Sequence, residues 1–93
     1  MRAKGLDVPK LEQIVADMFE LEPSQILSPV RYKAVVQARS IFCYWAVMEL
    51  GVTATALANR IGLTQPAISM SVKRGAQIVK EKRLDLDSIS MNL

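Results

Sequence analysis

Residues 53–80 read TATALANRIGLTQPAISMSVKRGAQIVK and carry helix-start and helix-stop signals in quick succession. Thr53 is placed to cap a first helix, because its hydroxyl can accept from a free N–H of the first turn. Leu57, Ala58 and Ile61 recur at helical spacing and form one apolar stripe. Gly62 follows the stripe, where a left-handed residue ends a helix, and Leu63 is the apolar plug of the turn. Thr64 is a second N-cap, and Pro66 falls in the first turn after it, where a missing N–H costs little. The second helix then sets Ile68, Val72, Gly75 and Val79 on one side and Ser69, Met70, Lys73, Arg74, Gln77 and Lys80 on the other.

This is the pattern of a helix-turn-helix. Ala58 is small enough for the second helix to cross close above it, Gly62 turns the chain, and Ile68 locks the second helix on the first. Such a second helix offers its N-terminal residues to a major groove, which is wide enough to admit a helix. An ordinary helical hairpin shares the same punctuation, so the distribution of charge is needed to separate the two.

The net charge of the 93 residues is +3, but it is unevenly divided. Residues 31–80 carry Arg31, Lys33, Arg39, Arg60, Lys73, Arg74 and Lys80 against Glu49 alone, whereas acidic residues outnumber basic ones in 1–30 and in 81–93. The positive charge therefore coincides with the segment holding the helix-turn-helix, and a basic face is what attraction to phosphates requires. The size allows one domain with a modest core. A composition 51% hydrophobic and 5% aromatic suits a compact helical bundle.

Around the motif the chain reads as scaffold. Asp7-Val8-Pro9 marks a helix start, and Leu11, Ile14, Val15, Met18 and Phe19 make the stripe of an amphipathic helix. Lys10, Glu12, Asp17 and Glu20 fall off that stripe and are expected to face water. Glu22-Pro23 ends this helix, residues 23–27 form a short turn with Ile26 and Leu27 tucked inward, and Ser28-Pro29 breaks the chain again. Arg31 and Lys33 then stand in a loop able to reach a phosphate backbone.

A long helix follows over about 33–50, its ends good to about two to four residues. Ala34, Val35, Ala38, Ile41, Phe42, Trp45 and Met48 cluster on one face and Val36, Cys43 and Val47 on the other. A helix apolar nearly all round is buried on several sides, which makes this the central core helix. Its expected exposed strip is narrow: Gln37, Arg39 and Ser40 near the start and Glu49 near the end. Gly51 supplies the stop. The expected organisation is a flexible segment over 1–7, a helix-turn-helix DNA-binding domain over 8–82, and a short helical turn or tail over 83–93 bearing Leu84, Leu86, Ile89 and Met91.

The chain has no histidine, hence no usual general base at neutral pH and no common zinc ligand. One cysteine makes neither an internal disulfide nor a structural zinc site, and Cys43 sits mid-helix, where a buried, inert thiol is expected. No glycine-rich phosphate loop precedes a helix. Tyr32 and Tyr44 have no evident activating base and read as packing or phosphate-contact residues. The expectation is a non-enzyme with no cofactor, metal or small-molecule ligand. No apolar run reaches a membrane span, and without an export signal the expected location is the cytoplasm.

The order of elements (amphipathic helix, short turn, basic loop, long helix ending in glycine, helix-turn-helix) resembles the C-terminal DNA-binding domain of the bacterial replication initiator DnaA over about residues 8–82. The resemblance implies an all-α, Trp-repressor-like bundle whose partner is double-stranded DNA. It implies that Arg31, Lys33 and Arg39 match the family's contacts to phosphates and the minor groove, and that Thr64, Gln65, Pro66 and Ala67 match its base-reading residues. The family's signature turn is longer and carries an Arg-Asp-His-Thr-Thr run, whereas this chain has GLTQPAIS, so a different recognition sequence is implied. The stretch GVTATALANRIGLTQPAISMSVKRG, after ARSIFCYWAVMELG, also resembles the C-terminal domain of REP-associated tyrosine transposases. Their nuclease domain carries a histidine pair and a tyrosine. A chain without histidine then corresponds to the DNA-binding portion alone, with a nuclease domain as a partner.

Chemistry assigns the remaining contacts. Gln65 can pair bidentately with an adenine edge, Ala67 can touch a thymine methyl, and Ser69 can reach a base or phosphate. Lys73 and Arg74 are expected to grip the backbone, and Thr53 joins the same contacting set. The alternatives are a helix-turn-helix transcriptional repressor, including one that self-associates, and a protein-interaction module with no DNA partner.

Overall fold

The computed structural model describes residues 7–28 and 32–86. Within them the chain is all helical: α1 (Val8–Met18), α2 (Pro23–Ile26), α3 (Lys33–Leu50), α4 (Ala54–Ile61) and α5 (Gln65–Lys82). The boundaries follow local capping chemistry. The Asp7 carboxylate accepts from the Lys10 N–H at 3.0 Å and starts α1, with Pro9 in its first turn. That helix stops at Met18, earlier than Glu22-Pro23 requires, because Glu20 turns left-handed (φ 56°) and the Leu21 N–H bonds back to the Ala16 carbonyl at 2.8 Å. The expected turn at 23–27 is α2, begun by the Glu22 N–H donating to Gln25 Oε1 at 2.8 Å.

α3 has the bounds expected of it, and Gly51 ends it at φ 71°. It lies at the centre. Val35, Ala38, Ile41, Phe42, Cys43, Trp45 and Ala46 are all buried, and it packs against α1, α2 and, most extensively, α5. Leu11, Ile14, Val15 and Ile26 join the core from one side, and Leu57, Ala58, Ile61 and Ile68 from the helix-turn-helix.

Several surface assignments are corrected by this packing. Arg39 and Ser40, expected on the exposed strip of α3, are buried, while Met48, expected in the core, is 59% exposed and Ala34 is exposed too. The strip turns inward because α5 lies across it. A Cβ added at Gly75 would sit 2.1 Å from the Ser40 carbonyl oxygen and 2.8 Å from Tyr44 Cβ, so the helices meet backbone to backbone. Ser40 tolerates burial because it is small and its hydroxyl donates to the Val36 carbonyl at 2.8 Å. Ala58, over which a close crossing was expected, is buried, and a backbone-to-backbone approach is found at Gly75.

Glu12 was expected in water. It is 5% exposed and its carboxylate takes both Nε and Nη2 of Arg60, which ties α1 to α4. Past α5, Arg83 adopts a left-handed φ of 54° and the Leu84 N–H bonds to the Val79 carbonyl at 3.0 Å. Leu86 then enters the core with Leu84 packed against it. These two side chains serve the chain's own interior, while Ile89 and Met91 lie outside the described residues. No described helix is long and apolar enough to cross a membrane.

Candidate nucleic-acid interface

The helix-turn-helix is built from two caps and one left-handed glycine. Thr53 Oγ1 accepts from the Ala56 N–H at 3.1 Å and Thr64 Oγ1 from the Ala67 N–H at 3.3 Å. Gly62 holds φ at 84°, and its N–H and that of Leu63 both bond to the Ala58 carbonyl, at 2.8 and 3.1 Å. The turn is thereby closed on itself, and Leu63 packs on the core as its plug. An L side chain is strained at that φ, so glycine is favoured there.

α5 is divided lengthwise as its periodicity predicts. Ile68 and Gly75 are buried, and Val72 and Val79 pack against the core. Ser69, Met70, Lys73, Arg74, Gln77 and Lys80 are exposed on the other side. Ser71, assigned to neither face from the sequence, is buried against α3. At the leading end Thr64, Gln65 and Pro66 are exposed, while Ala67 is half-buried.

Ala67 instead lines an open groove of about 480 Å³ between the start of α3 and the first turns of α5, together with Val36, Arg39, Leu63, Met70, Ser71 and Arg74. The groove brings the two regions singled out in the sequence onto one face. Lys33, at the first turn of α3, is exposed, as are Lys73 and Arg74. Arg31 lies outside the described residues. Arg39 reaches the groove wall but is 7% exposed, and its Nη1 donates to the Ser28 carbonyl at 2.6 Å. It ties α3 to the Ser28 carbonyl, just past α2, rather than standing out on a strip.

The charge of the motif is correspondingly reduced. Arg60 is engaged by Glu12, and the hydrogen bond to that carboxylate raises its already high pKa further, against a smaller opposing effect of burial. Arg74 lines the groove and is exposed; Lys33 at the first turn of α3 and Lys73 and Lys80 on α5 are exposed as well. Cys43 is buried, and loss of solvent pushes its thiol up to about 12 although the Arg39 charge pulls the other way. Such a thiol is protonated and unreactive at neutral pH.

Sequence reasoning missed one polar contact at the leading end. Gln65 Nε2 donates to Thr55 Oγ1 at 2.9 Å, linking the first residue of α5 to the first turn of α4. Nothing local signals it, because the residues are ten apart and meet only through the turn.

Comparison with known proteins gives a restricted result. The chain matches no protein-family model, and no solved structure matches it. It is similar to the chromosomal replication initiator protein DnaA of Thermosipho africanus (strain TCF52B), 26% identical over 72 residues. The match covers 77% of this chain and 16% of the initiator, so the likeness is to a DnaA-like domain and not to the whole protein.

Proposed function

We propose that this chain binds double-stranded DNA through its helix-turn-helix, with the first turns of α5 in the major groove. The observation that carries the reading is the capped, exposed start of α5, with exposed Lys73 and Arg74 farther along the same helix, whose other side is locked into the core. The positive end of the helix dipole suits a phosphate, although Pro66 brings no N–H and the Ala67 N–H is taken by the Thr64 cap. Gln65 reads an adenine edge, Ser69 reaches a base or phosphate one turn on, and Lys33, Lys73 and Arg74 grip backbone. Thr53 and Thr64 act through their caps, and Pro66 sets the entry of α5. Ala67 and Met70 offer apolar surface at the groove, Arg39 acts by holding the Ser28 carbonyl, and Arg31 contacts the flanking strand.

The likeness to a chromosomal replication initiator supports a DNA-binding domain. The finer assignment, to the DNA-binding portion of a transposase-related protein, rests on the resemblance of residues 38–75 alone, and an adjoining nuclease-coding reading frame would test it.

The test is selection from a random duplex library followed by titration over a range of salt. A basic groove-binder loses affinity linearly in log salt, with a slope of about −0.9 per phosphate neutralised. Gln65→Ala is expected to cost about 1–3 kcal/mol at one base position. An equal loss on selected and random DNA removes Gln65 from base reading, and no duplex binding at low salt removes the whole proposal.

A further inference from the structure

We propose that Thr55, through its hydrogen bond to Gln65, is a specificity-determining positioning residue of the helix-turn-helix that also donates to a DNA phosphate. The inference rests on the base-reading role given to Gln65 above. A free glutamine side chain at an exposed helix start samples many rotamers, and ordering it on a base costs conformational entropy. Here the carboxamide is already held: its Nε2 donates to Thr55 Oγ1 at 2.9 Å, and both residues are exposed.

The hydrogen-bond inventory makes the contact directional. A carboxamide nitrogen carries two hydrogens, so one can stay on Thr55 while the other, with Oε1, faces a base. That second hydrogen and Oε1 are the donor–acceptor pair an adenine edge needs. A threonine hydroxyl both donates and accepts. Having accepted from Gln65, it keeps its own proton for a second acceptor, which at this exposed position is solvent until a partner arrives. A phosphate oxygen beside the helix pair is an acceptor of that kind. Once the hydroxyl donates there, it must accept from Gln65 Nε2, which excludes the flipped carboxamide. The backbone contact thereby selects which way round the base-reading amide sits.

The experiment uses the full chain and the duplex it selects, with every single-base variant of that duplex in competition binding. Thr55→Val removes the hydroxyl at nearly constant shape, and Thr55→Ser keeps it. Discrimination at the position relaxed by Gln65→Ala is expected to fall about three- to tenfold in Thr55→Val and to return in Thr55→Ser. Discrimination elsewhere should be unchanged. The salt slope should also be unchanged, because the lost donor is neutral. Circular dichroism checks that Thr55→Val keeps the fold, as its exposed position predicts. If Thr55→Val discriminates as well as the parent at that position, or loses affinity equally for every duplex, Thr55 has no positioning role although Gln65 still reads. If Gln65→Ala itself relaxes no position, the base-reading assignment falls and this inference falls with it.

Discussion

α3 and α5 are both 18 residues long and pack on each other, yet their exposures are opposite. α3 buries nine residues, taken from every side of the helix, and α5 buries three, all from one stripe. A helix enclosed on several sides keeps little surface for a partner, and what α3 leaves exposed lies at its ends, Lys33 and Ala34 at one and Met48 near the other. A helix anchored along one stripe keeps its opposite face available while its position is held. The difference sets an enclosed shaft, α3, against α5, which keeps a polar, cationic face exposed, the face proposed to read DNA. α4 resembles α5 in having one buried stripe, Leu57, Ala58 and Ile61, but it also carries the Arg60 tie to α1.

Substitutions in the two helices should therefore fail in different assays. The largest stability effect is expected in the shaft. Phe42 is fully buried, and Phe42→Ala should lower unfolding free energy by about 3–5 kcal/mol in urea titration. A loss under 1 kcal/mol would mean that α3 is not the central element. Next is the crossing point. Gly75→Ala puts a methyl 2.1 Å from a backbone carbonyl, and it should destabilise by about 1–3 kcal/mol through overpacking, even though alanine favours a helix by about 1 kcal/mol. A rise in thermal midpoint would break the picture of two helices meeting at their backbones.

Smaller is the tie between α1 and α4. Arg60→Ala leaves the Glu12 carboxylate, only 5% exposed, without its guanidinium. The full cost of stranding a buried charge is about 3–5 kcal/mol. Because the Arg60 side chain is 41% exposed, water screens the pair and about 1–2 kcal/mol is the sharper expectation. Adding Glu12→Leu to Arg60→Ala should recover most of that loss, and a further drop would show that the carboxylate is needed for another reason. The smallest stability effect belongs to the reader. Lys73→Ala should change unfolding free energy by less than about 0.5 kcal/mol while weakening duplex binding alike on all sequences and flattening the salt slope by about 0.9. A loss confined to one base position would move Lys73 from backbone grip to base contact.

Much of this contrast is readable from residues close together in the chain. Thr53, Gly62, Thr64 and Pro66 announce the helix ends because capping is settled within a turn by the residue and its next few amides. The apolar stripes of α1, α4 and α5 show in their spacing for the same local reason. Arg39 and Ser40 misled because a polar residue on a long helix is taken to face water unless a neighbouring helix is known to cross there. Glu12 misled because its partner lies 48 residues away. Thr55 gave no signal at all, since its meaning depends on Gln65 being folded back beside it.

The amino-acid order by itself determined where the helices start, which of them must be enclosed, and which one keeps a polar face; these depend on torsion preferences and side-chain period over a few residues, whereas the stop of α1 at Met18 was not read from it. Only the tertiary structure decided which polar groups could leave water, where two backbones touch, and which cations remain exposed. Those outcomes turn on partners distant in the chain: the Ser40 carbonyl under Gly75, the Ser28 carbonyl on Arg39, and the Glu12 carboxylate on Arg60.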